Sequence, residues 1–133
     1  MVEHLSFILV DDVRINNVLA EHVLRKCVPS SNIVSFTDSV KALEYIGQTG
    51  IDLNGRKWVI FLDVYMPDVD GWEFLRRFGA IDAGIRSRFE VWILSSSISP
   101  ADHERARCIE FVSGFIEKPL NAAAFAGVIA QVR

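Results

Sequence analysis

The sequence of 133 residues has few cysteines, no long apolar run and no excess of basic charge. Its two cysteines, Cys27 and Cys108, lie in separate predicted helices without the spacing of metal ligands, so packing or surface thiols are their expected role. No apolar run approaches the roughly 20 residues of a membrane helix, and the N-terminus does not follow the pattern of a signal peptide. We therefore expect a cytoplasmic protein without a membrane segment.

Basic residues are too dispersed to predict direct binding of nucleic acid. The net charge is -3, and the pairs Arg76-Arg77 and Arg86-Arg88 are typical of a solvated surface, not of a stripe that follows a phosphate backbone. Half of the residues are hydrophobic and 23% are charged, which is the composition of a folded globular protein. The length predicts a single domain over residues 1–133.

Short apolar segments alternate with helical patterns along the chain. The predicted strands are residues 5–10, 33–36, 58–62, 91–94 and 114–116. Helical stripes follow four of them: Leu19, Ala20, Val23, Leu24 and Cys27; Val40, Leu43 and Ile46; Trp72, Leu75 and Phe78; and Phe125, Val128, Ile129 and Val132. A more polar fourth helix is predicted over residues 100–109, and residues 48–57 and 79–88 are predicted loops, the first of them following a helix stop at Gly47.

Strands separated by helices of this length predict right-handed crossovers and a parallel sheet with helices on both faces. Capping residues support the helix starts: Asp38 or Ser39 for the second helix, Ser99 with Asp102 for the fourth, and Asn121 for the last. The expected fold class is therefore α/β, a doubly wound (βα)5 three-layer sandwich.

Polar side chains that can take part in catalysis or ligand binding follow four of the five predicted strands. Asp63 ends the most apolar of them, and taken alone it is more simply interpreted as a capping carboxylate on a loop. Asp11 and Asp12 follow the first strand, whereas Ser95 and Lys118 follow the fourth and fifth. If the strand order is 2-1-3-4-5, the three carboxylates converge at the switch point of the sheet.

Three carboxylates at short range repel one another and require positive charge. Their charge of -3 is balanced by one lysine together with a divalent cation, and Mg²⁺ suits a site made of carboxylates, waters and phosphate oxygens. The strand ends therefore predict a magnesium site beside Asp63.

The order of these motifs resembles the CheY-like receiver domains of bacterial two-component response regulators, over essentially the whole chain. The resemblance rests on Asp11-Asp12, Asp63 with Met66-Pro67 and Asp70-Gly71, Leu94-Ser95-Ser96, and Lys118-Pro119. It implies a flavodoxin-like fold with a five-stranded parallel sheet in the order 2-1-3-4-5.

The resemblance also implies a role for each motif. Asp63 is the phosphoacceptor. The metal ligands are Asp11, Asp12, Asp63 and the Tyr65 backbone carbonyl, with Mn²⁺ as an alternative to Mg²⁺. Ser95, Ser96 and Lys118 contact the phosphoryl group, Phe115 is the switch aromatic, and the bond before Pro119 is cis. Tyr65 and Ser97 tune hydrolysis of the acyl phosphate. Phe115 as a plain core aromatic is an equally good interpretation of that residue.

The sequence is compatible with three functions. The first is a stand-alone receiver that takes a phosphoryl group from a histidine kinase or a phosphotransfer protein and signals to a protein target through the fourth helix, fifth strand and fifth helix. The second is the receiver half of a longer regulator. The third is an aspartyl-nucleophile phosphatase, which is less favoured because Tyr65, and not a second acid, lies two residues after Asp63. We expect no enzyme activity beyond self-phosphorylation and slow autodephosphorylation.

Overall fold

The computed structural model describes residues 5–49, 57–96 and 99–132, which form five strands and six helices. The strands are β1 (Leu5–Val10), β2 (Asn32–Phe36), β3 (Lys57–Leu62), β4 (Phe89–Ser95) and β5 (Val112–Glu117). The helices are α1 (Arg14–Cys27), α2 (Ser39–Thr49), α3 (Gly71–Gly79), α4 (Ala83–Arg86), α5 (Pro100–Arg107) and α6 (Ala122–Gln131). Among the described residues, no helix combines the length and the apolarity needed to cross a membrane.

All strand pairs are parallel, and the sheet order is β2-β1-β3-β4-β5. Two hydrophobic cores lie on opposite faces of this sheet. One core contains buried residues of α2, α3 and α5, and the other contains buried residues of α1 and α6. The predicted doubly wound fold and its strand order are therefore confirmed.

The central strand β3 contributes to both cores because successive side chains of a strand point to opposite faces. Ile60 and Leu62 belong to the core with α2 and α3, whereas Val59 and Phe61 belong to the core with α1 and α6. This is why the segment before Asp63 is apolar without alternation. The double burial fixes the end of β3, and with it the position of Asp63.

The buried face of α1 differs from the predicted stripe. Ala20 and Leu24 are buried together with Asn17, but Leu19 is 53% exposed and Cys27 is also exposed. The helix is rotated so that residues 17, 20 and 24 face the sheet, which brings a polar residue inside. Asn17 is satisfied there, because its amide donates to the backbone carbonyls of Asp11 and Phe36 at 3.2 and 3.1 Å.

The second helix was also predicted imperfectly. Val40 is 38% exposed, and the buried positions of α2 include Ala42 and Ile46. The helix continues past Gly47 to Thr49, since an interior glycine costs only about 1 kcal/mol relative to alanine. Asp38 is the capping residue, because its carboxylate accepts the backbone N–H of Val40 at 2.8 Å.

The loop predicted over residues 79–88 contains the short helix α4, which Asp82 caps by accepting the backbone N–H of Gly84. The helix predicted as the fourth is therefore α5 in this structure, and it ends at Arg107, two residues early. Its capping box of Ser99 and Asp102 is present as predicted. Asn121 likewise caps α6 by accepting the backbone N–H of Ala124 at 2.8 Å.

Candidate functional site

The carboxyl ends of β1 and β3 place two acids side by side. Val10 and Leu62 are partners in the parallel register, so Asp11 and Asp63 follow directly from adjacent positions. The ladder extends one step further, since the Asp63 N–H donates to the Val10 carbonyl at 2.9 Å and the Asp11 N–H donates to the Phe36 carbonyl at 3.1 Å. Both acids are thus held by sheet hydrogen bonds before their loops diverge.

Three carboxylates meet at this edge. One oxygen from each of Asp11, Asp12 and Asp63 lies within 4.8 Å of the others. Asp11 and Asp63 are buried and Asp12 is half-buried, so one side of the cluster is open to solvent. Hard oxygen ligands with an open side are the donor set that Mg²⁺ uses, because this ion keeps several waters. The residues therefore fit the predicted ion.

Lys118 supplies the positive charge within the protein. Its Nζ lies 2.5 Å from Asp11 Oδ2 and 3.1 Å from Asp63 Oδ2. Burial acts to lower the pKa of Lys118, but the two carboxylates outweigh burial and raise the pKa above its usual value. The side chain is accordingly a cation. The Lys118-Pro119 bond is cis as predicted, and the Lys118 N–H donates to the Ser95 carbonyl at 2.9 Å.

Within the described ranges, the Asp63 carboxylate accepts hydrogen bonds from two donors. The Tyr65 N–H donates to Oδ1 at 3.0 Å, and Lys118 donates to Oδ2. Burial raises the pKa of Asp63, and the Tyr65 N–H and Lys118 reduce this shift without reversing it. The site therefore holds a carboxylate that is desolvated and oriented, which are properties of a positioned nucleophile.

The raised pKa of Asp63 predicts a pH-dependent difference between wild type and Asp63→Asn in metal-free buffer. The folded protein binds the Asp63 proton more tightly than the unfolded chain does. The contribution of Asp63 to stability is therefore complete below the unfolded pKa, about 4, and is lost as pH rises through the folded pKa. We expect wild type to lose stability relative to Asp63→Asn over this range.

Urea unfolding of both proteins with EDTA, from pH 3.5 to 7.5, measures this difference. If the difference in unfolding free energy does not vary with pH, or if it changes in favour of wild type as pH rises, then burial does not raise the pKa of Asp63.

Ser95 ends β4 next to this cluster. It is 1% exposed, and its Oγ has no hydrogen-bond partner among the described residues. A buried hydroxyl without a partner is uncommon in proteins and is consistent with a role in holding a ligand. Ser96 follows at an exposed bend, and Ser97 lies outside the described residues. The structure thus places the Ser95 side chain beside the site.

Tyr65 and Phe115 both contact α5. The Tyr65 side chain is 54% exposed, and its hydroxyl donates to the Asp102 carboxylate. This hydrogen bond raises the pKa of the Tyr65 phenol and lowers the pKa of the Asp102 carboxyl. Phe115 is half-buried, with its ring centroid 4.2 Å from that of His103. Phe115 is therefore neither a fully enclosed core residue nor a free surface residue.

Three features of the structure were not predicted from the sequence: Asn17, His103 and the contact made by Asp102. Asn17 could have been identified as a polar residue at helical spacing from the buried positions of α1. The other two contacts gave no sequence signal, because Tyr65 and Asp102 are 37 residues apart and both are common surface residues. The roles assigned to the site residues, including the Tyr65 carbonyl as a metal ligand, stay predictions.

The comparison with known families agrees with this geometry. A family model described as the response regulator receiver domain matches residues 7–130. The chain belongs to the response regulator receiver family. Receiver domains in general interact with histidine kinases or phosphotransfer proteins. No curated protein matches the chain.

Solved receiver structures are similar over nearly the whole chain. A two-component response regulator from Cytophaga hutchinsonii is 27% identical with a TM-score of 0.86, and the alignment covers 96% of this chain and 95% of that one. The bacteriophytochrome response regulator AtBRR is 29% identical with a TM-score of 0.73, over 94% and 89% of the two chains. The chemotaxis response regulator CheY4 of Vibrio cholerae, at 20% identity and a TM-score of 0.71 over 97% and 99%, shares the fold.

Proposed function

We propose that this receiver accepts a phosphoryl group on Asp63 from the phosphohistidine of a histidine kinase or phosphotransfer protein. One observation carries the proposal: a buried Asp63 carboxylate receives hydrogen bonds from Lys118 and the Tyr65 N–H, and it lies beside Asp11 and Asp12. A nucleophile, a cation and two further acids thus meet at a single edge of the sheet.

The proposed step is an in-line displacement. A carboxylate oxygen of Asp63 forms a bond to phosphorus, the bond between phosphorus and the imidazole nitrogen breaks, and its electron pair stays on the imidazole. The product is an acyl phosphate on Asp63. Because the phosphoryl group is already activated in the donor, the receiver mainly has to orient the nucleophile and neutralise charge.

Two side chains are suited to donate hydrogen bonds to the phosphoryl oxygens. Lys118 already contacts Asp63, so it can donate to an oxygen of a group attached there. The Ser95 hydroxyl has a donor to spare, since it lacks a partner in the described part of the chain. Asp11, Asp12, Asp63 and the Tyr65 carbonyl would hold Mg²⁺, which when bound supplies positive charge to the phosphoryl oxygens. Lysine alone leaves the three acids at a net charge of -2, so the ion completes the balance.

Signalling is proposed to run from Ser95 to Phe115. The phosphoryl group adds about two negative charges to the site, so the neighbouring donors must readjust. Movement of Ser95 toward the phosphoryl group would vacate space beside β5, into which the half-buried Phe115 can turn. This would change its contact with His103 and the surface formed by α5, β5 and α6.

Intact mass after incubation with acetyl phosphate and Mg²⁺ tests the proposal. We expect one phosphoryl adduct on wild type, none when EDTA replaces Mg²⁺, and none on Asp63→Asn. An adduct on both proteins would move the phosphoacceptor elsewhere, and an adduct on neither would contradict phosphoacceptor function. Asp68→Asn, in the loop after β3, is a matched control that should leave the adduct intact.

A further inference from the structure

Helix α5 is held to the rest of the protein by few apolar contacts. Of its eight residues, all of them described, only Ala106 is buried. Polar side chains make three further contacts with other described elements. Asp102 accepts from Tyr65, the His103 ring lies against Phe115, and the Arg105 guanidinium lies 4.4 Å from the centroid of the Trp72 ring. A helix attached in this way has low local stability and responds to small changes in its neighbours.

Two of these three contacts come from the segment that follows Asp63. Trp72 is the second residue of α3, the helix that follows the Asp63 loop, and Tyr65 lies two residues after the proposed phosphoacceptor. Tyr65 contacts both the phosphoacceptor loop and α5, since its backbone N–H donates to Asp63 and its hydroxyl donates to Asp102. A single residue therefore connects the proposed nucleophile to the first turn of α5.

The topology places this connection beside the proposed phosphoryl site. Asp63 ends β3 and Ser95 ends the adjacent strand β4, so a phosphoryl group on Asp63 would lie between these two strand ends. Helix α5 is the element that follows β4. The Tyr65 side chain extends from the end of β3 to α5, and it therefore crosses the space between the ends of β3 and β4.

We propose that Asp102 is a positioning residue, which holds the Tyr65 ring across this side of the site and holds the first turn of α5 against the Asp63 loop. We call the hydrogen-bonded pair of Tyr65 and Asp102 the strap. Its effect on phosphoryl chemistry rests on the proposed function, whereas its effect on α5 does not.

The strap limits loss of the phosphoryl group by restricting water. In hydrolysis the oxygen of a water molecule bonds to phosphorus, and the bond from phosphorus to the Asp63 oxygen breaks. The electron pair returns to the carboxylate, and the protons of the water leave with inorganic phosphate. The attacking water must approach in line with the breaking bond. A Tyr65 ring held at one edge of the site hinders this approach of water. A ring that is free to rotate hinders it less.

The kinetic test measures the rate of phosphoryl loss from protein labelled with acetyl phosphate. Tyr65→Phe keeps the ring and removes the hydroxyl, and Asp102→Ala removes the acceptor. Each should accelerate loss about threefold to tenfold, the range expected from losing one typical hydrogen bond. The double variant should be no faster than either single variant, because both break the same contact. Equal rates in all four proteins, or additive effects, would overturn the proposal.

Two further variants separate positioning from helix capping. The same Asp102 oxygen, Oδ2, accepts from the Tyr65 hydroxyl and from the Ser99 N–H, so the single carbonyl oxygen of Asp102→Asn can replace it and should restore the wild-type rate. Ser99→Ala removes the hydroxyl that accepts from the Asp102 N–H and leaves the strap in place. An acceleration in Ser99→Ala equal to that in Asp102→Ala would assign the effect to the cap.

Amide hydrogen exchange on the unphosphorylated protein gives a second readout. Tyr65→Phe should raise exchange in α5 about threefold to tenfold and leave α6 unchanged, with Tyr45→Phe as a control that keeps a different tyrosine ring. Unchanged exchange in α5 would overturn the strap. If wild type takes up no phosphoryl group but exchange in α5 rises as expected, the proposed function fails and the strap stands.

Discussion

Replacement of Lys118 by Met should lower the free energy of unfolding in metal-free buffer by about 2 to 4 kcal/mol. Lys118 is the cation that contacts both Asp11 and Asp63, and all three side chains are largely buried. Removing one member of a buried ion pair is strongly destabilising because the remaining charges lose their partner. The expected loss of stability is slightly smaller than is usual for a buried ion pair, since Asp12 and one side of the cluster are open to solvent. Urea unfolding with EDTA measures the loss.

Addition of Mg²⁺ should reduce this loss. Without Lys118 the cluster carries a charge of -3, and a divalent cation is then the available compensation, so we expect Mg²⁺ to bind Lys118→Met about tenfold more tightly than wild type. Stability measured against Mg²⁺ concentration tests this. Equal destabilisation with and without the ion would mean that the lysine acts through packing of its stem. Lys26→Met, at an exposed position of α1, is the charge-matched control.

Gly71→Ala should destabilise the protein by about 2 kcal/mol and reduce phosphoryl uptake from acetyl phosphate at least about tenfold. A Cβ at this position would lie 2.4 Å from the Val64 Cα and 2.6 Å from the Asp63 carbonyl oxygen. Both atoms belong to the backbone, which cannot rotate away as a side chain could. The loop that carries the proposed nucleophile would have to shift, and a shift of this kind misplaces an attacking group.

Gly127→Ala is the matched control for this prediction. Gly127 lies inside α6, and a Cβ there would meet nothing within 4 Å. Alanine in a helix interior is favoured over glycine by about 0.5 to 1 kcal/mol, so this variant should be more stable than wild type and take up phosphoryl normally. Normal uptake by Gly71→Ala would show that the Asp63 loop tolerates displacement.

Sequence patterns predicted the parts of this receiver that depend on local chemistry. The apolar strands followed directly by Asp11 and Asp63 are local patterns that the sequence shows by itself. Their convergence followed once a parallel strand order was assumed, because the carboxyl ends of parallel strands share an edge. The caps at Asp38, Ser99 and Asn121 were equally local, since each needs only a side-chain oxygen and the N–H groups of the next turn.

Features that depend on how elements rotate were predicted less well. Leu19 and Val40 fit helical stripes, but small rotations of α1 and α2 expose them and bury Asn17 and Ala42 instead. A stripe defines a helical face to within about one residue, and packing against the sheet selects among neighbouring faces. Contacts between distant loops carry no pattern at all, and for this reason the pairing of Tyr65 with Asp102 required a structure.

The ion pair of Lys118 and Asp11 joins residues separated by 107 positions, so the site draws on both ends of the receiver domain matched over residues 7–130. A chain emerging during synthesis would present Asp11 and Asp63 long before residue 118 exists. Until β5 and the loop after it are in place, the acids lie together without their cation. Completion of the charge balance at this edge of the sheet therefore coincides with completion of the sheet, before α6 packs on it.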